Sequence, residues 1–193
     1  MPDPVTHLLA GPNGAGKTTL YAKVVEPATH LPFVNADLLA AERWPEDPET
    51  HAYEASRLAA LQRAALIERR ESFVTETVFS HNSKSEFLRA ATQAGYLIHL
   101  HIVAVPEALA VARVADRTRR GGHTVPEHKI RDRYGRLWPL VAEAARHVEQ
   151  ATVYDNSNAR SPFRKVAEFA RGTLVGPCTW PTWAPESLRA LTR

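Results

Sequence analysis

Nine consecutive residues, Gly11-Pro12-Asn13-Gly14-Ala15-Gly16-Lys17-Thr18-Thr19, satisfy the spacing G-x-x-x-x-G-K-[ST] directly after the apolar run Leu8-Leu9-Ala10. Small residues let a backbone curl until successive N–H groups point at phosphate oxygens, and a helix starting there adds its positive N-terminal end. In such a loop a lysine reaches the β- and γ-phosphates and the adjacent hydroxyl joins a magnesium shell. The pattern predicts ATP as ligand, cradled by residues 11–19, with Lys17 on the phosphates and Thr18 as the protein's ligand to Mg²⁺.

A phosphate loop alone does not separate kinases, GTPases and motor ATPases. The chain has no apolar strand ending in an Asp-Glu pair, as motor ATPases carry, and no Asn-Lys-x-Asp stretch of the kind that reads guanine. It does have Asp37, which closes the apolar run Leu31-Pro32-Phe33-Val34-Asn35-Ala36. A carboxylate at the carboxyl end of a strand beside the loop faces the γ-phosphate from the acceptor's side, where it can orient a hydroxyl and take its proton. The competing role is N-cap of a helix over 38–43.

Glu76, in Phe73-Val74-Thr75-Glu76-Thr77-Val78, ends another expected strand on the same side of the sheet. With Thr77 it offers hydrogen-bonding groups to a substrate; otherwise it is a solvent-facing residue of an edge strand. Thr75, Thr77, Ser80, His81 and Asn82 form a polar loop suited to a hydroxyl-rich acceptor.

Arg113, Arg117 and Arg120 then recur at helical spacing, Gly121-Gly122-His123-Thr124-Val125-Pro126 breaks the helix, and Arg131 and Arg133 open the next. Guanidinium groups donate in fixed fork geometry to the charge that phosphoryl transfer spreads over three oxygens. A helix, corner and helix over 113–136 therefore read as a closing lid, with Arg113 on the nucleotide and Arg120 on the acceptor. The competing reading is a solvated helical face, to which Arg119, Lys129 and Arg136 belong. No nucleic-acid surface is expected, because the positive charge is local and lacks interleaved aromatics. Asn156, in Asp155-Asn156-Ser157-Asn158, either contacts adenine or turns the chain. His99 and His101 share one strand face and lack metal-ligand spacing, so the Mg²⁺ brought by ATP is the only metal expected.

Strands over 6–10, 32–35, 72–77, 96–105 and 152–154 must hold these groups, alternating with helices over 17–25, 48–70, 84–94, 107–120 and 126–150. Such alternation is the signature of an α/β fold. The expected architecture is a P-loop kinase-like fold, a central, mostly parallel five-stranded sheet flanked by helices. Residues 164–175, around Gly172, read as a terminal hairpin or a short helix. The stretch 176–193, with Pro177, Trp180, Pro181, Trp183 and Pro185, reads as an irregular tail that folds back over apolar surface or serves a partner.

At 193 residues, 44% hydrophobic and 23% charged, with a net charge of +3, the chain suits a single globular domain. No apolar run approaches the ~20 residues of a membrane span. The start Met1-Pro2-Asp3-Pro4 lacks the order of a secretion signal, and Cys178 has no second cysteine to pair with. Both predict a cytoplasmic protein with no membrane partner.

Taken in order, the phosphate loop, Val34-Asn35-Ala36-Asp37, Thr75-Glu76-Thr77, Arg113…Arg117…Gly121-Gly122-His123-x-Val125-Pro126…Ile130-x-x-Arg133-Tyr134 and Tyr154-Asp155-Asn156-Ser157 resemble the compact zeta toxin family over roughly residues 5–160. The resemblance implies a P-loop kinase that phosphorylates UDP-N-acetylglucosamine, a nucleotide sugar, at its 3′-hydroxyl and is controlled by a small antitoxin protein. It implies phosphate and magnesium contacts for Lys17 and Thr18, a general base in Asp37, a substrate-binding acid in Glu76, and charge-stabilising roles for Arg117 and Arg133. The residues by themselves leave open a kinase of another small hydroxyl metabolite or RNA end, and a nucleotide-gated interaction module.

Overall fold

Apolar β-branched runs form strands at all five expected places, and each strand delivers a loop to the same edge of one sheet. The computed structural model describes residues 2–122 and 124–193, so Met1 and His123 of the Gly-Gly-His segment lie outside the described residues. Strands β1 (Val5–Ala10), β2 (Phe33–Val34), β3 (Phe73–Thr77), β4 (Leu97–Ala104) and β5 (Gln150–Asp155) run parallel in the order β2-β3-β1-β4-β5.

The sheet does not stop at five strands. β6 (Arg164–Ala170) pairs antiparallel with β5, and β7 (Thr173–Leu174) with β6, giving seven strands in one sheet. The hairpin prevails over the short helix because Val166, Ala167 and Phe169 are buried against the sheet's neighbours. Its turn places Arg171 (φ 47) and Gly172 (φ 74) both in the left-handed region, whose twist matches a two-residue hairpin.

The helices that position the site are α1 (Lys17–Leu20), α2 (Glu26–Thr29), α3 (Ala36–Arg43), α4 (Ala52–Glu68), α5 (Ser83–Gln93), α6 (Glu107–Arg119) and α7 (Glu127–His147). The single helix expected over 17–25 is interrupted, with a π-helical segment, Tyr21–Val25, between α1 and α2. Pro27 supplies the reason: it has no N–H to give Lys23 and its ring crowds that carbonyl, so the helix widens upstream of it. α4 begins four residues later than expected, after a turn in which the Asp47 carboxylate accepts from the Thr50 N–H at 3.3 Å. No described helix is long and apolar enough to cross a membrane.

Alternation along the strands builds two cores. Leu8, Phe73, Leu100 and Ile102 face a larger one with Leu66 of α4, Leu88 of α5 and Leu137 of α7. Leu9, Val74, Val103 and Tyr154 face a smaller one with Leu20 of α1 and Ala110 of α6. On that second face sit three histidines. His7 Nδ1 lies 3.0 Å from His101 Nε2, His101 Nδ1 lies 3.4 Å from the Tyr154 hydroxyl, and His7 meets His99 edge-on.

The tail folds back, and it is less irregular than expected. It contains α8 (Glu186–Arg189), whose Leu188 is fully buried in the larger core, and Trp180 and Trp183 pack at the rim. The Thr179 N–H donates to the Val166 carbonyl at 2.9 Å, and the Trp180 indole donates to Thr192 Oγ1 at 3.1 Å.

Candidate active site

The loop after β1 is held by contacts that tolerate no larger residue. A Cβ on Gly11 would stand 2.4 Å from the Val103 carbonyl oxygen of β4, so the loop leaves the sheet in close contact with the next strand. Gly16, at φ 93, initiates α1, and a Cβ there would stand 2.7 Å from Asn156 Nδ2. That amide donates to the Ala15 carbonyl at 2.8 Å while its Oδ1 accepts from the Phe163 N–H at 3.4 Å. Asn156 borders the cleft, but both ends of its amide are taken up by the protein. It braces the phosphate loop from the edge of the cleft.

Lys17 is nearly buried, and its Nζ donates to the Pro12 carbonyl at 3.2 Å, the same oxygen that receives the Ala15 N–H. Burial pushes its ammonium pKa down. The Glu76 and Asp37 carboxylates push it back up and Arg117 pushes it down again, so four charged groups converge electrostatically on one point.

Sheet register explains how Glu76 arrives there. Leu9 pairs with Glu76 and Ala10 with Thr77, which sets the end of β3 level with the start of the loop. The Thr18 hydroxyl donates to Glu76 Oε2 at 2.9 Å. Hydroxyl and carboxylate oxygens are the hard donors magnesium takes, so this pair fits the ion an ATP site implies.

Asp37 is freed by its neighbour. Asn35 caps α3, its Oδ1 accepting from the Asp37 and Leu38 N–H groups at 2.8 and 3.2 Å. The capping role that competed for Asp37 therefore belongs to Asn35, and the Asp37 carboxylate borders the cleft.

The cleft has a volume of about 780 Å³ and runs across the carboxyl ends of the strands. Asn13, Gly14, Gly16, Lys17, Thr18 and Thr19 of the loop border it, as do Asp37, Glu76 and Thr77, whereas Gly11, Pro12 and Ala15 support the loop from behind. Arg113, Arg117 and Arg133 reach it from α6 and α7, with Arg113 Nη1 3.5 Å from the Gly14 carbonyl. Between those helices the corner is tied across: the Thr124 N–H donates to Glu49 Oε1 at 2.7 Å, and Val125 borders the cleft.

Arg120 is not brought there. It is the C-cap residue just past the end of α6, 78% exposed and paired with Asp116 at 3.0 Å. Arg131 likewise bridges Glu107 and Glu127. Sequence reasoning missed Lys23, Ser56, Arg63, Lys84, Pro162 and Phe163, all of which border the cleft. The signal available for two of them was the spacing Ala52, Ser56, Ala59, Arg63 along one face of α4. Phe163 had none, since its place follows from the hairpin.

The model of the AAA domain family matches residues 7–140. An uncharacterized protein of Haemophilus influenzae is 27% identical over 125 residues, which make up 64% of this chain and 88% of that one. A crystal structure of AvrRxo1-ORF1:AvrRxo1-ORF2 with sulphate ions superposes with a TM-score of 0.71 at 16% identity. The match covers 90% of this chain and spans 60% of the length of that one, and the same pair has also been solved with ATP. A chain of the PezAT chromosomal toxin-antitoxin system of Streptococcus pneumoniae superposes with a TM-score of 0.60 at 16% identity, covering 84% of this chain and 72% of that one. At these identities the likeness is one of fold, an α/β P-loop kinase-like arrangement with a mostly parallel central sheet flanked by helices.

Proposed function

The chain belongs to the AAA domain family, and from that premise we propose that it is an ATP-dependent phosphotransferase acting on a hydroxyl of a small acceptor. The observation that carries this reading is that Lys17, Glu76, Asp37 and Arg117 line one cleft, where Asn35 has relieved Asp37 of capping. A nucleotide switch needs the phosphate loop and metal pair; it has no use for a second carboxylate in the same cleft.

Phosphoryl transfer is mostly positioning and charge stabilisation. The loop N–H groups and Lys17 hold the β- and γ-phosphates. Mg²⁺, when bound with ATP, neutralises charge on those oxygens; Thr18 would hold it, and we assign Glu76 to its shell on the strength of the bond from Thr18. Asp37 accepts the proton of the acceptor hydroxyl as its oxygen bonds to the γ-phosphorus and the bond to the bridging oxygen breaks, releasing ADP. Arg113, Arg117 and Arg133 donate to the equatorial oxygens, and closure of the corner over the cleft limits hydrolysis.

UDP-N-acetylglucosamine, phosphorylated at its 3′-hydroxyl, is the first acceptor to try. That choice, a toxic role in the cell and a small antitoxin partner rest on the zeta toxin resemblance of the phosphate loop, Asp37, Glu76 and the Gly-Gly-His-x-Val-Pro corner. The test is mass spectrometry of protein, magnesium, ATP and a panel of nucleotide sugars, with Asp37→Asn alongside. The expected result is one added phosphate on an acceptor and about 10²–10⁴-fold less product from the variant, at unchanged ATP affinity. ATP affinity lost in step with turnover would remove Asp37 from the role of base, and absence of ADP with every acceptor would sink the phosphotransferase reading.

A further inference from the structure

Among the described residues, seven basic side chains border the cleft against two carboxylates, Asp37 and Glu76, an excess that a magnesium nucleotide neutralises only in part. Lys17 and the three lid arginines address the nucleotide. Arg63 and Lys84 stand elsewhere. Arg63 is on α4, which joins β2 to β3, and Lys84 is in the first turn of α5, which follows β3. Both therefore come from the β2–β3 half of the sheet, with Asp37, whereas Arg113, Asn156 and Phe163 come from the β4–β5 half.

Arg63 and Lys84 are half-buried, and among the described residues neither makes an ion pair or a side-chain hydrogen bond. The guanidinium of Arg63 lies over the Phe87 ring at 5.4 Å, a contact that fixes its plane without neutralising it. Burial pushes both groups down, and Arg63 pushes Lys84 down further, so the two cations are close enough to repel. Two like charges withdrawn together from water cost stability unless a counter-charge arrives. The face of α4 leading to Arg63 carries Ala52, Ser56 and Ala59, small residues that leave room for a ligand beside it.

We propose that Arg63 and Lys84 form a second anion subsite, on the acceptor side of the cleft, that takes a phosphate or carboxylate group of the molecule receiving the phosphoryl group. The acceptor is then itself an anion, with its reacting hydroxyl at Asp37 and its charged group on Arg63 and Lys84; neutral polyols lack the second anchor. This rests on the phosphotransferase reading of the cleft.

The test loads the protein with Mg²⁺ and a non-hydrolysable ATP analogue, so that the phosphate loop is filled, and titrates inorganic pyrophosphate and, separately, malonate by calorimetry. The expected result is one further anion site whose affinity falls about tenfold or more in Arg63→Gln and in Lys84→Gln while analogue affinity is unchanged. Tighter pyrophosphate identifies a phosphate as the recognised group, and tighter malonate a carboxylate. Wild-type protein that binds neither anion once loaded, or variants that bind as tightly as wild type, would overturn the proposal. Failure of the analogue to bind would count against the phosphotransferase reading alone, and pyrophosphate titration of the nucleotide-free protein would then decide the subsite. Affinity lost in Arg63→Gln and kept in Lys17→Ala supports it; the reverse overturns it.

Discussion

Lys17, with its ammonium resting on the Pro12 carbonyl, is held in a cradle whose shape depends on its small neighbours. Gly16 has the least latitude among them. Its φ of 93 disfavours a side chain, and an added Cβ would meet Asn156 Nδ2 at 2.7 Å, the amide that holds the Ala15 carbonyl. Gly16→Ala is expected to lower unfolding free energy by about 1–3 kcal/mol, read by urea denaturation, through strain at this position. It is also expected to weaken nucleotide binding, read by titration with a fluorescent ATP analogue, because either the loop or Asn156 must shift. Stability and affinity both equal to wild type would show that the loop relaxes freely and that Asn156 is not its brace. At the same scale, the Thr18–Glu76 bond joins residues 58 positions apart, so one side-chain pair couples the loop to the end of β3.

At the scale of the element, β1, β4 and β5 share a ladder of rings on the face of the smaller core. Burial, reinforced by the neighbouring histidines, pushes His101 down to about 3, and burial with His99 pushes His7 down to about 4. Both folded values lie below the 6.5 of the unfolded chain. On acidification the unfolded chain takes up protons first, so the stability these rings contribute is complete above 6.5 and is lost as pH falls towards their folded values. Asp155 and Glu168, whose carboxyls are held below their usual range by Ser157 and Arg164 and by Lys165 and Gln150, lose their contribution only in more acidic solution. The urea midpoint is therefore expected to be flat above about pH 7 and to decline from about pH 6.5 down towards about pH 4. His101→Gln should flatten that decline, and an equal decline in the variant would place its origin outside the ladder.

For the whole molecule, the tail and the cleft are separate. No residue from 177 to 193 borders the cleft, yet Leu188 is fully buried and Thr179 adds a backbone bond to β6. Removal of everything after Gly176 should cost about 3 kcal/mol or more, from lost burial of Leu188 and of the rims of Trp180 and Trp183. Nucleotide affinity should be retained at temperatures where the shortened chain is folded. Thermal unfolding of both lengths checks this, and a shortened chain as stable as the full one would make the tail an appendage available to a partner. The corner between α6 and α7 is the opposite case. Its Thr124–Glu49 bond links the two halves of the sheet's upper edge across the cleft, so its closure and the shape of the cleft are one property.

Residues 11–19 were legible from the sequence because a phosphate loop is a local object: nine adjacent residues, a preceding strand and a following helix contain its geometry. The parallel strands were legible for a related reason, since largely buried strands are written as short runs rich in apolar residues. Asp37 and Glu76 followed from their places at strand ends. The rest depended on distances between segments. Whether Asn35 or Asp37 capped α3 was settled by one turn of backbone, and Asn156 became a brace only because β5 ends beside Gly16. Arg120 fell just past the end of α6 and paired with Asp116 in solvent, while Arg113 and Arg117 reached the cleft, and the contact of Arg63 on α4 with Phe87 on α5 set Arg63 and Lys84 on one side of it without a counter-charge. Composition and spacing determined the kind of chemistry available, because those are properties of short segments. Which side chains share a cleft was decided by register and helix rotation, which exist only once the sheet is assembled.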